Sequence, residues 1–183
     1  MIKILLSILF LLYTFLVPIY SEELKLSEPK IEFTVIHPFK TVIGKCTGVN
    51  ASPISLTANT NGVQIPKSVK IEIPVKEIRS GDENRDEHIM ESLGYPTHNG
   101  ISFVSTAISL TKDGEWSISG NLTINGRTKP IKSIASIHKD DHETTVSGKF
   151  QVLMSDFDVV APSLLFAKAK DEVVIDYKFT FKP

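Results

Sequence analysis

The chain has 183 residues, with 20 Lys and Arg against 21 Asp and Glu and a formal net charge of −1. That balance excludes the basic stripe by which proteins track a phosphate backbone, so nucleic acid is not an expected partner. Cys46 is the only cysteine, which excludes an intrachain disulfide framework and leaves stability to core burial.

Lys3 precedes an apolar run, Ile4 to Val17, broken only by Ser7, Tyr13 and Thr14. Pro18 interrupts it, and the small residue Ser21 stands before Glu22-Glu23. A positive end, a short apolar core, a breaker and a small residue form the order of a secretory signal peptide, expected over residues 1–21. The run is shorter than the roughly 20 apolar residues that span a bilayer. No cysteine stands near the cleavage point to carry a lipid anchor. The expected exported unit is therefore residues 22–183, one domain with its own core.

Strand patterns follow one another along that unit. Ile31, Phe33 and Val35 alternate with polar residues, as do Val69, Ile71, Ile73 and Val75. Pro74 lacks the N–H a central ladder needs, so that strand is expected to end or bulge there. Arg79 to Leu93 is charged and without alternation, with a short helical segment expected near 85–91. Trp116, Ile118, Leu122 and Ile124 share one parity; Val146, Phe150 and Val152 another; Val173, Ile175, Tyr177, Phe179 and Phe181 a last one. Period two places one face against apolar surroundings and the other in water. Asp113-Gly114 and Asn125-Gly126 predict tight hairpins, because these pairs accept positive φ. His138 to Glu143 predicts another hairpin loop. Successive antiparallel strands with little helix suit either a sandwich or an up-and-down barrel, and only a closed barrel of about eight strands holds a ligand in its lumen.

Four blocks, in order, carry a family resemblance: Ile31-Glu32-Phe33-Thr34-Val35-Ile36-His37 with Gly44; Val69 to Ile78 leading to Arg85-Asp86-Glu87-His88, Tyr95-Pro96 and Ile101 to Thr106; Gly120 to Pro130; and Ser155-Asp156-Phe157 with Asp171-Glu172-Val173. Together they resemble the YceI-like, polyisoprenoid-binding proteins of the bacterial periplasm, over about Leu24 to Phe181. The resemblance implies a lipocalin-like antiparallel β-barrel whose lumen takes a long lipid tail, and a periplasmic location. Three departures stand out. Asn125 replaces a usual histidine, Met154 replaces a frequent arginine, and the stretch between His88 and Tyr95-Pro96 is shortened. The first two put a polar head-group contact in doubt and leave the tail site intact.

On this reading Phe33, Val35, Phe39, Phe103 and Trp116, with Ile118, Leu122, Phe150 and Phe157, are the candidate lumen residues. His37, Arg85 and His88 are candidates for the mouth. Arg85 fits either an anionic head group, whose geometry a guanidinium matches, or an ion pair with Asp86 that fastens the loop. His37 fits either a mouth residue or a histidine satisfied by a backbone group. His138 and His142 flank Asp140-Asp141 at a hairpin tip and lack converging ligands, so no metal is expected. Cys46 falls where the resembled family has a phenylalanine, which points to packing. No nucleophile elbow, zinc-protease helix or phosphate loop is present.

The expected function is binding of a hydrophobic small molecule, isoprenoid or fatty-acyl, for transport, storage or protection. No enzyme activity and no cofactor are expected. The alternatives are an interaction or stress-response protein with a filled barrel, and an enzyme using His88 or His37 as base in the same pocket. Pairing of barrel edges into a homodimer is compatible with the sequence.

Overall fold

The computed structural model of the protein describes residues 22–58 and 64–182. The expected signal segment, residues 1–21, lies outside the described residues. Fourteen strands and one α-helix follow in chain order among the described residues. They are β1 (Glu22–His37), β2 (Lys40–Cys46), β3 (Asn50–Ala51), β4 (Ile54–Ala58), β5 (Gln64–Pro66), β6 (Lys70–Pro74), β7 (Ile78–Arg79), α1 (Glu83–Ser92), β8 (Gly100–Leu110), β9 (Trp116–Ile124), β10 (Arg127–Lys139), β11 (Thr144–Leu153), β12 (Ser163–Leu164), β13 (Ala167–Lys168) and β14 (Glu172–Lys182).

The main sheet is antiparallel, in the order β3-β6-β8-β9-β10-β11-β14-β1-β2-β7. One stretch of chain bridges its two sides. β6 ends at Pro74, as that residue's missing N–H requires, and a 3₁₀ turn at Val75–Glu77 leads directly into β7. The first half of this stretch pairs with β8 and the second half with β2. The sheet therefore curls around a lumen with about eight principal staves, the barrel alternative of the two topologies.

β1 is much longer than the alternation at Ile31–Val35 predicts. Its first residues pair with β4 across one end of the barrel, and Leu24, Ile54 and Leu56 close that floor at 2–3% exposure. A register shift between Leu26 and Glu28 bends the strand from floor to wall. There the Ser27 hydroxyl donates to the Thr180 carbonyl at 3.0 Å. Pro29 is accommodated because β2 joins only from Ile31, leaving its other edge without a ladder.

The Asn125-Gly126 turn forms as expected, with φ of +48° and +69° and Ile124 opposite Arg127. The turn at Asp113-Gly114 is wider. Only Gly114 takes a positive φ (+82°), and Thr111 N–H donates to Glu115 O at 2.8 Å to close a longer loop. Between β10 and β11, the Asp140 carboxylate accepts the backbone N–H groups of His142 (2.8 Å) and Glu143 (2.9 Å). Those bonds hold its carboxyl below the usual range. The expected helical segment is longer than residues 85–91: α1 starts from Asp82, whose side chain accepts Arg85 N–H at 3.1 Å as an N-cap.

Candidate functional site

The lumen has a volume of about 630 Å³, within the range of small-molecule sites. It runs from Ile54, Trp116 and Phe181 near the floor to His37, Lys40, Val160 and Leu164 at the opposite end. A filled barrel would lack this space. Alternation explains the lining. The inward parity of β14 contributes Val173, Ile175, Tyr177, Phe179 and Phe181, and that of β6 contributes Ile71 and Ile73.

Among the sequence-derived candidates, Phe33, Val35, Phe103 and Trp116 line the lumen, as do Ile118, Leu122, Phe150 and Phe157. Phe39 does not. It is 51% exposed and meets Phe166 edge-on at 5.7 Å between ring centroids. The cause is local: His37 pairs with Lys40, so Pro38-Phe39 is the turn itself, where strand alternation has ended. Ile31, Ile71, Ile73, Ile175 and Tyr177 line the lumen too and are missing from the candidates, although each shares a parity with a wall. Helix α1 adds Ile89, and Leu93 follows it, at positions no period-two pattern marks.

Three lumen rings lie over glycines. A Cβ on Gly44 would overlap the Phe33 ring, one on Gly120 the Phe103 ring, and one on Gly148 the Tyr177 ring. Phe33 and Gly44 face each other across β1 and β2, and Tyr177 faces Gly148 across β14 and β11. The missing side chains make room for the outer ends of these rings against the wall.

The lumen contains little polar chemistry. Tyr177 and Ser133 share a hydroxyl–hydroxyl bond of 2.9 Å. Burial pushes the Tyr177 phenol above its ordinary value, and the Ser133 bond opposes this. Cys46 is 7% exposed, and burial pushes its thiol up to about 12. It lines the lumen as an apolar group rather than a reactive thiolate.

The three mouth candidates differ. His37 is satisfied by backbone: Nε2–H donates to Ala167 O (3.1 Å), and Nδ1 accepts Phe39 N–H (3.2 Å). Arg85 fastens the helix to the preceding loop, through Nε–H to Ser80 Oγ and Nη2–H to Ser80 O, both 2.8 Å. Asp86 acts on the same residue, accepting Ser80 N–H at 2.7 Å and the Ser80 hydroxyl. The expected Arg85–Asp86 pair is thus replaced by two separate grips on Ser80, with Asp82 as the ion-pair partner of Arg85 at 3.8 Å. His88 reaches the rim, but its side chain is 80% exposed and stands 3.5 Å from Glu91.

Two of the three family departures are also placed. Met154 is buried on the lumen wall. The Asn125 amide donates to Phe157 O (3.2 Å) and Asp158 O (3.3 Å), holding the 3₁₀ turn Met154–Phe157 against the β9–β10 turn. On the other side of that turn, Ser155 N–H and its hydroxyl donate to the Asp171 carboxylate and keep that carboxyl below its ordinary range.

A family model described as YceI-like domain matches residues 23–181. A UPF0312 protein of Pectobacterium carotovorum is 34% identical over 91 residues, which cover 48% of this chain and 38% of that protein. A UPF0312 protein of Azotobacter vinelandii is 34% identical over 65 residues, 34% of each. The matches thus span little more than a third of those relatives' own lengths. Among solved structures, BcnA of Burkholderia cenocepacia superposes with a TM-score of 0.71 at 18% identity, covering 83% of this chain and 95% of that one. A polyisoprenoid binding domain from Saccharophagus degradans superposes at 0.63 and 10% identity, covering 87% and 97%. At these identities the superpositions establish the fold.

Proposed function

Since the chain belongs to the YceI-like family, we propose that it is a binding protein, not an enzyme, whose barrel encloses the tail of a long apolar lipid. The observation that carries this reading is the open lumen of about 630 Å³, walled by aliphatic and aromatic side chains, three of whose rings occupy the space beside glycines. Each buried methylene contributes about 0.8 kcal/mol, so affinity comes from tail length and shape. The polar groups near the mouth favour the same assignment: Arg85 and His37 are committed to protein partners, and Met154 is apolar where a cation is usual. An isoprenoid or acyl chain with a small or neutral head group fits best. The signal-peptide pattern of residues 1–21 supports export to the periplasm, where such a protein would carry, store or shield its lipid.

Trp116 is the chain's only tryptophan and lines the lumen, so its fluorescence reports occupancy. Titration with a polyprenyl alcohol and with long-chain fatty acids is expected to change its emission saturably. An Ile175→Asp variant, which places a charge in the apolar wall, is expected to abolish the response while keeping a β-sheet spectrum. An emission indifferent to every long-chain lipid would contradict the reading.

A further inference from the structure

The hairpin formed by β12 and β13 breaks the rules that the rest of the sequence obeys. Its two-residue turn is Leu165-Phe166, with Leu164 opposite Ala167. Leu165 adopts φ +56°, a left-handed conformation for which glycine or asparagine is the usual choice. The turn between β9 and β10 uses Asn125-Gly126 for the same task. Here two large apolar residues take the turn and stand in water, Leu165 at 83% and Phe166 at 89% exposure. Val160, Leu164 and Phe39 extend the patch, also exposed. Phe39 is joined to it through the Phe166 ring, and the His37 bond to Ala167 O ties the two segments together.

Charge surrounds this apolar tip with one sign. Residues 36–43 and 159–170 contain Lys40, Lys168 and Lys170 and no carboxylate. Lys168 also acts on the flanking Asp171, while Lys40 and Lys170 make no ion pair among the described residues. The neighbouring Asp158 is occupied by Arg127. Exposed aromatic and aliphatic side chains ringed by lysines suit an anionic lipid surface, the apolar groups entering below the head groups and the ammonium groups meeting the phosphates. The patch is continuous with the lumen, because Lys40, Val160 and Leu164 also line its open end.

We propose that the Leu165-Phe166 hairpin docks the barrel on an anionic lipid bilayer, with the open end of the lumen facing the membrane. Docked this way, an apolar tail passes between bilayer and lumen with little exposure to water. The surface rests on its own observations, and vesicle binding is measured separately from lumen occupancy, so failure of either reading leaves the other testable.

The test uses residues 22–183, which contain every strand of the described sheet and lack the apolar run at 4–17 that would bind vesicles by itself. Phosphatidylcholine vesicles with and without phosphatidylglycerol are the probes. The protein is expected to co-sediment with the anionic vesicles, and Leu165→Asp/Phe166→Asp to weaken this roughly tenfold or more. Replacing Lys40, Lys168 and Lys170 with Gln is expected to remove the preference for phosphatidylglycerol. A Phe166→Trp variant is expected to gain a blue-shifted emission quenched by brominated acyl chains, a local signal independent of the aspartate variant's folding. The proposal is overturned if the protein stays in the supernatant with anionic vesicles, if the double aspartate variant binds as well as the parent, or if the emission gained in Phe166→Trp does not move. It is equally overturned if the hairpin proves to be buried in a dimer that Leu165→Asp/Phe166→Asp dissociates, with no vesicle binding.

Discussion

The Phe33 ring lies directly over Gly44 on the adjacent strand, occupying the space a side chain there would fill. Only the ring overlaps a Cβ at Gly44, so Gly44→Ala leaves the backbone in place and tips the ring into the lumen. The expected result is a loss of roughly tenfold in lipid affinity at a stability cost of about 1–2 kcal/mol. Lipid titration beside urea unfolding of the same variant measures both. A large stability loss with unchanged affinity would mean that Phe33 moves elsewhere.

Tail length is the second variable. Because the lining is apolar, each added methylene is expected to strengthen binding by about 0.8 kcal/mol, close to fourfold, until the lumen is filled. Affinities across a series of saturated fatty acids should therefore rise and then level off. Flat affinities would show that the head group, not the tail, is recognised.

Arg85 is expected to matter for the loop and not for the ligand. Arg85→Gln removes its grip on Ser80 and should lower stability by about 1–3 kcal/mol. Affinity for a prenyl alcohol and for the corresponding prenyl phosphate should fall alike or not at all. Selective loss of the phosphate would restore Arg85 as a head-group contact.

Acid is expected to loosen the turn that carries Met154 and Phe157. The Ser155 bonds depress the Asp171 carboxyl below its ordinary value of 3.8. A depressed carboxyl contributes its full stabilisation above the unfolded-state value and loses it as pH falls below that value towards the folded one. The side chain is open to solvent, so the effect is local. The protection factor of Ser155 N–H, its exchange measured against the intrinsic rate at each pH, should fall below about pH 4 in the native protein and be low at neutral pH in Asp171→Ala, which removes the acceptor.

Cys46 is expected to be nearly inert. With its thiol pushed from 9.0 to about 12, the thiolate fraction at pH 8 falls by about a thousandfold. A disulfide reagent should label it only after unfolding; rapid labelling of the native chain would place it outside the core.

Much of this architecture is legible in alternation, because period two persists wherever a strand keeps one face on the lumen. Trp116 to Ile124 and Val173 to Phe181 identify two walls directly. Phe39 departs from its expected place because parity carries no meaning once the chain enters a turn. The grips of Arg85 and Asp86 on Ser80 depend on how the first turn of α1 folds back on its approach, a geometry their sequence adjacency conceals. The β12–β13 hairpin leaves no signal: its two-residue strands are too short to alternate, and Leu165-Phe166 lacks turn chemistry. Closure through Lys70–Arg79 rests on pairing with β8 and β2, which no local pattern records.

The most direct test of the central claim is native mass spectrometry of residues 22–183, followed by solvent extraction and identification of the released molecule. A stoichiometric adduct is expected, with a lipid of long apolar tail in the extract. A bare protein mass that persists after incubation with prenyl and acyl lipids would contradict the claim.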